Sequence, residues 1–84
     1  MYYEKERYNE LIETSKLILD MDKTDETACR FLMQGLSFTG RNREAVKEFK
    51  ILTKNLKSEL GVSPEHLTVR LKDEIMSRTA NYSV

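Results

Sequence analysis

Few residues in this chain of 84 have the types and spacing that chemistry requires. His66 has no metal-ligating residue three or four positions away on either side, whereas a zinc site needs three or four converging ligands. Cys29 is the one cysteine, which excludes a disulfide framework, and its place beside an apolar pattern predicts a small buried side chain. The sequence has no glycine-rich phosphate loop and no nucleophile–histidine–acid set. We therefore predict no catalytic residues, no metal site and no cofactor.

The most regular charge pattern is a stripe of five basic residues, here called the basic stripe: Arg43, Lys47, Lys50, Lys54 and Lys57. Their spacing of i, i+4, i+7, i+11 and i+14 places them on one face of a helix. Residues 41–57 carry six basic and two acidic side chains, whereas residues 1–26 carry four basic and eight acidic ones. The stripe is either a binding surface for phosphates or an acidic partner, or an ordinary solvated helix face. We predict partner binding through it.

Four amphipathic segments must position these residues. Their apolar spacing predicts helices near 3–21, 25–39, 42–60 and 64–78, with no strand. The connections are short, so consecutive helices should be antiparallel neighbours. Low glycine and proline content argues against a sandwich or barrel, and the fold class is predicted to be all-α.

Capping residues predict where these helices begin and end. Thr24 or Asp25 should cap the second helix and Asn42 the third, and Ser63-Pro64 should open the fourth. Gly40 and Gly61 should terminate helices in the left-handed conformation. A further residue, Gly35, indicates close approach of a neighbouring helix. The apolar positions predict a core centred on Leu32, Ala45, Phe49, Leu52 and Leu56.

Residues 26–56 resemble a tetratricopeptide repeat, with Leu32 and Leu36 early, Gly40 at the turn, and Ala45 four residues before Phe49. The fold is therefore expected to consist of about four helices in tetratricopeptide-like antiparallel hairpins. A longer string, Gly40-Arg41-Asn42-Arg43-Glu44-Ala45 and then Ser58-Glu59-Leu60-Gly61-Val62-Ser63-Pro64-Glu65, resembles the bacterial transcriptional activator domain. That domain is the helical module of SARP-type regulators and some response regulators.

The resemblance implies a non-catalytic protein-interaction and self-association module, spanning 1–76 and followed by a frayed tail at 77–84. It implies that a winged helix-turn-helix outside this chain contacts DNA, and that the chain is part of a larger regulator. Protein partners would be a second copy, other domains of the regulator, or RNA polymerase. The alternative is a helical domain that contacts the DNA backbone directly through the basic stripe.

The first helix resembles the second helix of a repeat whose partner helix is not encoded here. Its apolar surface should therefore remain open and favour a homodimer. The residues expected to support self-association are Tyr2, Tyr3, Leu11, Leu17, Ile18 and Met21. No apolar run reaches the length of a membrane span and no signal-peptide core is visible, so we predict a cytoplasmic protein without a membrane partner.

Overall fold

The computed structural model describes the backbone of residues 2–83 and the side chains of residues 6–78. The described chain forms four α-helices and no strand: α1 (Tyr2–Met21), α2 (Glu26–Phe38), α3 (Asn42–Leu60) and α4 (His66–Ser83). The prediction of an all-α fold is confirmed. Within the part described, no helix is both long enough and apolar enough to cross a bilayer.

The contact between α1 and α2 is close because Gly35 has no side chain. A Cβ atom at this position would lie 2.7 Å from Cγ1 of Ile12 and 3.3 Å from the carbonyl oxygen of Tyr8. Real carbon contacts do not occur at the first of these distances, so α1 could not pack here against alanine without moving. The prediction that Gly35 marks a close helix approach is confirmed.

The predicted helix ends are confirmed at three positions. The carboxylate of Asp25 accepts a hydrogen bond from the amide of Ala28 and caps α2. Gly40 and Gly61 have φ angles of 84° and 67°, which an L side chain rarely adopts. The amide of Gly61 donates to the carbonyl of Lys57 and the amide of Val62 to that of Leu56, so two carbonyls near the end of α3 have partners.

The third helix spans the predicted residues, but its predicted cap and the predicted opening of α4 are wrong, because tertiary contacts engage the groups concerned. Arg41, and not Asn42, occupies the cap position of α3, and Oδ1 of Asn42 instead accepts a 2.6 Å hydrogen bond from the hydroxyl of Ser37. The fourth helix begins at His66 and not at Pro64. The amide of Glu65, just before that helix, donates to a carboxylate oxygen of Glu26 at 2.8 Å, so α2 supplies the cap.

The core lies between α2 and α3, with contributions from α1 and α4. Its buried members are Ile12, Cys29, Leu32, Met33, Leu36, Ala45, Leu52, Leu56 and Ile75. Four of the five predicted central residues are among them. Phe49 is the exception: it packs against the margin of this cluster and is covered by Lys72, whose Nζ lies 5.3 Å from the ring centroid.

Three further apolar residues are exposed although their helical spacing matches the buried positions of their helices: Phe31 (46%), Leu60 (59%) and Leu67 (63%). The two leucines lie at an end of their helices, at the last residue of α3 and the second of α4. Among the α4 side chains that the structure describes, the buried ones are Thr68 and Ile75, both fully inaccessible.

α2 is the central helix, since it packs against α1, α3 and α4. The first turn of α4 contacts the first turn of α2, and Arg78 contacts Ser37 near the end of α2, so these two helices run in the same direction. This arrangement is compatible with stacked tetratricopeptide-like hairpins.

The fourth helix continues to Ser83 instead of ending near residue 78, because residues 77–83 contain no glycine or proline. The division into a module at 1–76 and a tail at 77–84 stays a prediction.

Candidate interaction surfaces

The basic stripe lies on the solvent side of α3, and all five of its residues are exposed. Ala45, Leu52 and Leu56 point from the opposite side of this helix into the core. None of the five cations forms an ion pair with another residue whose side chain the structure describes. A row of unpaired positive charge along one helix attracts anionic surfaces, and that attraction weakens as salt is added.

The second candidate surface is the apolar part of α1 that α2 does not cover. Ile12 and Ser15 are buried against α2 and Leu11 is half-buried, whereas Met21 (89%), Leu17 (65%) and Ile18 (40%) are exposed. The side chains of Tyr2 and Tyr3, which were expected to border this surface, lie outside the described residues. Three exposed apolar side chains within five residues of one helix are suited to contact with another protein.

A cleft of about 210 Å³ separates α1 from α3. Leu19 and Asp20 of α1 face Ile51 and Asn55 of α3 across it, and Cys29 of α2 lies in its lining. Burial raises the pKa of the Cys29 thiol to about 12, so the thiol stays protonated and unreactive at neutral pH. Burial also raises the pKa of the Glu48 carboxyl, which lines the same cleft.

The other residues with chemically competent side chains are not brought together. His66 is exposed at the start of α4. Among the described side chains, no three histidine, cysteine, aspartate or glutamate residues are placed to hold a metal ion. Cys29 is 1% exposed, which confirms the prediction of a small buried side chain.

Sequence reasoning missed a polar cluster between the first turns of α2 and α4. The hydroxyl of Thr68 donates to the Glu26 carboxylate at 2.8 Å and accepts from the Arg30 guanidinium at 2.9 Å. Arg30 also forms an ion pair of 3.2 Å with Glu65. In the sequence, Glu26 and Arg30 are polar residues four positions apart on one predicted helix, and Thr68 is a polar residue beside apolar ones on another. This pattern does not identify which residues pair across the two helices.

A second cluster joins the other ends of the same helices. Arg78 donates to the Ser37 hydroxyl at 2.9 Å, and its guanidinium carbon lies 5.6 Å from the ring centroid of Phe38. That ring stacks on Tyr8 of α1, with centroids 5.0 Å apart. A stacked column therefore connects α1, α2 and α4, although Arg78 lies beyond the predicted end of the module.

Comparison with known proteins decides the family. The sequence model of the bacterial transcriptional activator domain matches residues 1–76. The chain belongs to this family. No curated protein and no solved structure gives a significant match. The family resemblance drawn from the two sequence strings is confirmed, and the chain is a module of transcriptional activation. Its family is regulatory.

Proposed function

We propose that this activator domain is a non-catalytic protein-interaction and self-association module of a bacterial transcriptional regulator. The observation that carries the proposal is the exposed apolar surface of α1, formed by Leu17, Ile18 and Met21, in a chain that belongs to a transcriptional activator family. Apolar surface of this kind is stabilised by association with a second copy, because both copies then remove it from water. Leu11, Tyr2 and Tyr3 are assigned to the border of the same contact.

The basic stripe is proposed as the second binding surface of the module. Its residues are exposed and unpaired within the described chain, and they are separate from the core. The regulator's DNA-contacting winged helix lies outside this chain in the proposal, which leaves the stripe available for protein: a second copy, another domain of the regulator, or RNA polymerase. The module would thus hold DNA-bound chains, or a regulator and polymerase, at a defined separation in the cytoplasm.

A second candidate function is direct contact with the DNA backbone through the basic stripe. Five cations on one face over 15 residues could follow phosphates along a groove. The whole chain has no net charge, and eight acidic residues lie in 1–26. Its expected affinity for DNA is therefore lower than that of the basic stripe alone.

Self-association is tested by light scattering after size exclusion, at concentrations up to the high micromolar range. We expect a homodimer, and we expect Leu17→Asp combined with Met21→Asp to shift it to monomer because two charges would have to be buried in the contact. The matched control is Leu60→Asp with Leu67→Asp, which changes two leucines outside α1 that are 59% and 63% exposed. A parent chain that remains monomeric throughout would contradict the self-association part of the proposal.

A further inference from the structure

One side of α2 remains open in the described chain, although this helix packs against α1, α3 and α4 on its other sides. The residues on the open side follow i, i+4, i+7 and i+11 spacing and are here called the α2 stripe: Thr27, Phe31, Gln34 and Phe38. Phe31 is 46% exposed and Phe38 is 56% exposed. Two large apolar side chains in one exposed row are suited to contact with a partner.

The α2 stripe lies between α1 and α4. Tyr8 of α1 stacks on the ring of Phe38, and the guanidinium of Arg78 on α4 lies over the same ring. At the other end of the stripe, the hydroxyl of Thr27 accepts a hydrogen bond of 3.4 Å from Arg30, whose guanidinium also donates to α4. In the described chain α1 and α4 do not contact each other. The stripe is therefore the floor of a shallow groove, with α1 as one wall and α4 as the other.

The α1 wall of this groove is apolar. Asp20 lines the cleft on the α3 side of α1, and Ile18, two residues earlier, points about 200° away from it, to the side away from α3. Leu11 lies seven residues before Ile18 and shares that side. The stacked pair Tyr8 and Phe38 sets the register of the antiparallel helices, so Leu11 lies within about one turn of Phe38 and Ile18 within about one turn of the other phenylalanine. The groove thus has two apolar levels about 10 Å apart, each with one aliphatic and one aromatic side chain.

The two ends of the groove differ in charge. At the end formed by the last turn of α2, Arg78 is exposed and forms no ion pair with a residue whose side chain is described, Glu74 one turn earlier included. Arg7 is also exposed and unpaired among these residues, and helical spacing places it on the same side of α1 as the apolar wall. At the opposite end, Arg30 is neutralised by an ion pair of 3.2 Å with Glu65. An occupant therefore gains from acidic groups at one end only, which determines its direction.

We propose that this groove binds an amphipathic helix of another protein, with apolar residues seven positions apart on the two levels and acidic residues in the turn that meets Arg78 and Arg7. A helical occupant has the same rise per residue as the floor, so its positions i and i+7 match both levels. The inference goes beyond the proposed function, because Leu17, Met21 and the basic stripe take no part in it. Ile18 borders both this groove and the self-association surface.

The exposed apolar residues indicate a different protein and not a second copy as the occupant. Outside the groove, no helix of the described chain presents two exposed large apolar residues seven positions apart. A second copy therefore offers no helix that matches the two levels. Because exposed ion pairs contribute little, apolar burial should supply most of the affinity and the arginines the choice of partner.

The probe for this site is a fluorescein-labelled helical peptide of about 14 residues, or about 21 Å. It has two leucines seven positions apart in an alanine-rich sequence and two glutamates in the first turn, where they also suit the helix dipole. A matched peptide has lysines in place of the glutamates. Fluorescence anisotropy should show micromolar binding of the acidic peptide, about tenfold tighter than that of the lysine peptide.

Variants of the chain locate the binding. Phe31→Ala should weaken both peptides about fivefold, whereas Met76→Ala, which removes a side chain of similar exposure (48%) about 200° around α4 from Arg78, should change neither. Arg78→Glu should invert the preference, so that the lysine peptide binds more tightly. That inversion separates a charge contact from a loss of folding, which would weaken both peptides alike. Arg43→Glu removes an exposed cation of α3 and should leave the preference unchanged.

The outcomes separate this inference from the proposed function. It is wrong if neither peptide binds below about 1 mM, or if Arg78→Glu weakens both peptides equally. If Phe31→Ala converts a dimer of the parent chain to monomer in light scattering, the occupant is a second copy and the inference fails while self-association stands. If the peptide results are as expected and the parent chain is a monomer throughout, the inference stands and self-association fails.

Discussion

At the scale of single residues, Gly35 shows how one missing side chain determines the packing of a helix pair. A glycine inside a helix reduces its intrinsic stability by about 1 kcal/mol relative to alanine. Here that cost is offset by the close approach of α1, whose Ile12 Cγ1 lies 2.7 Å from the position a Cβ would take. The neighbouring Tyr8 carbonyl is part of the helix backbone and cannot rotate away as a side chain could.

We expect Gly35→Ala to destabilise the fold by about 1–3 kcal/mol, because overpacking outweighs the gain in helix propensity. Chemical denaturation followed by circular dichroism measures the change in unfolding free energy. Adding Ile12→Ala to Gly35→Ala should cost less than Ile12→Ala costs alone, since the smaller side chain makes room for the new methyl group. An alanine variant as stable as the parent would show that α1 can move without loss.

At the scale of elements, α4 is positioned by α2 more than by its own first residues. Ser63-Pro64 has the composition of a helix start, yet the helix begins at His66 and its preceding amide is bound by Glu26. The buried Thr68 hydroxyl connects that same carboxylate to Arg30. These hydrogen bonds are charge-assisted, and such bonds are stronger than those between neutral groups.

We expect Thr68→Val to destabilise the chain by about 1–3 kcal/mol, because the shape is retained while the Glu26 carboxylate and the Arg30 guanidinium each lose a partner. Glu26→Gln should also destabilise, by weakening the acceptor for the Glu65 amide. A double-mutant cycle on these two changes should give a coupling energy of at least about 0.5 kcal/mol. Strict additivity would mean that Glu26 and Thr68 act independently. Thr53→Val is the control, since its hydroxyl bonds only within α3.

At the scale of the whole molecule, charge is separated between the two helices that flank α2. The chain has no net charge, but its acidic residues are concentrated in 1–26 and its basic residues in 41–57. A surface with both signs attracts a complementary surface more than it attracts a uniformly anionic polymer. This distribution favours protein contact over DNA contact for the isolated chain.

We therefore expect no appreciable binding of duplex DNA at physiological salt, measured by fluorescence anisotropy with a labelled duplex. Any binding at low salt should decrease steeply as salt is raised, because phosphate contacts release counterions. A sub-micromolar affinity that Lys50→Glu with Lys54→Glu abolishes would favour the direct DNA function instead.

The sequence by itself determined the helical class, the number of helices and most of the core. These depend on local physics: apolar spacing, the Asp25 cap, and glycines that adopt positive φ at residues 40 and 61. Spacing alone also placed the five cations of the basic stripe on one helix face. The family could be recognised for the same reason, since its characteristic strings lie at helix ends where residue type is constrained by backbone conformation.

Only the tertiary structure decided which residues meet across helices. The sequence did not reveal that Glu26 caps α4, that Arg78 covers Phe38, or that Phe49 lies at the margin of the core under Lys72. It also could not show that Asp20 of α1 and Ile51 of α3 line one cleft. Periodicity indicates which side of a helix is apolar. Which neighbouring helix that side packs against depends on how all four helices pack together.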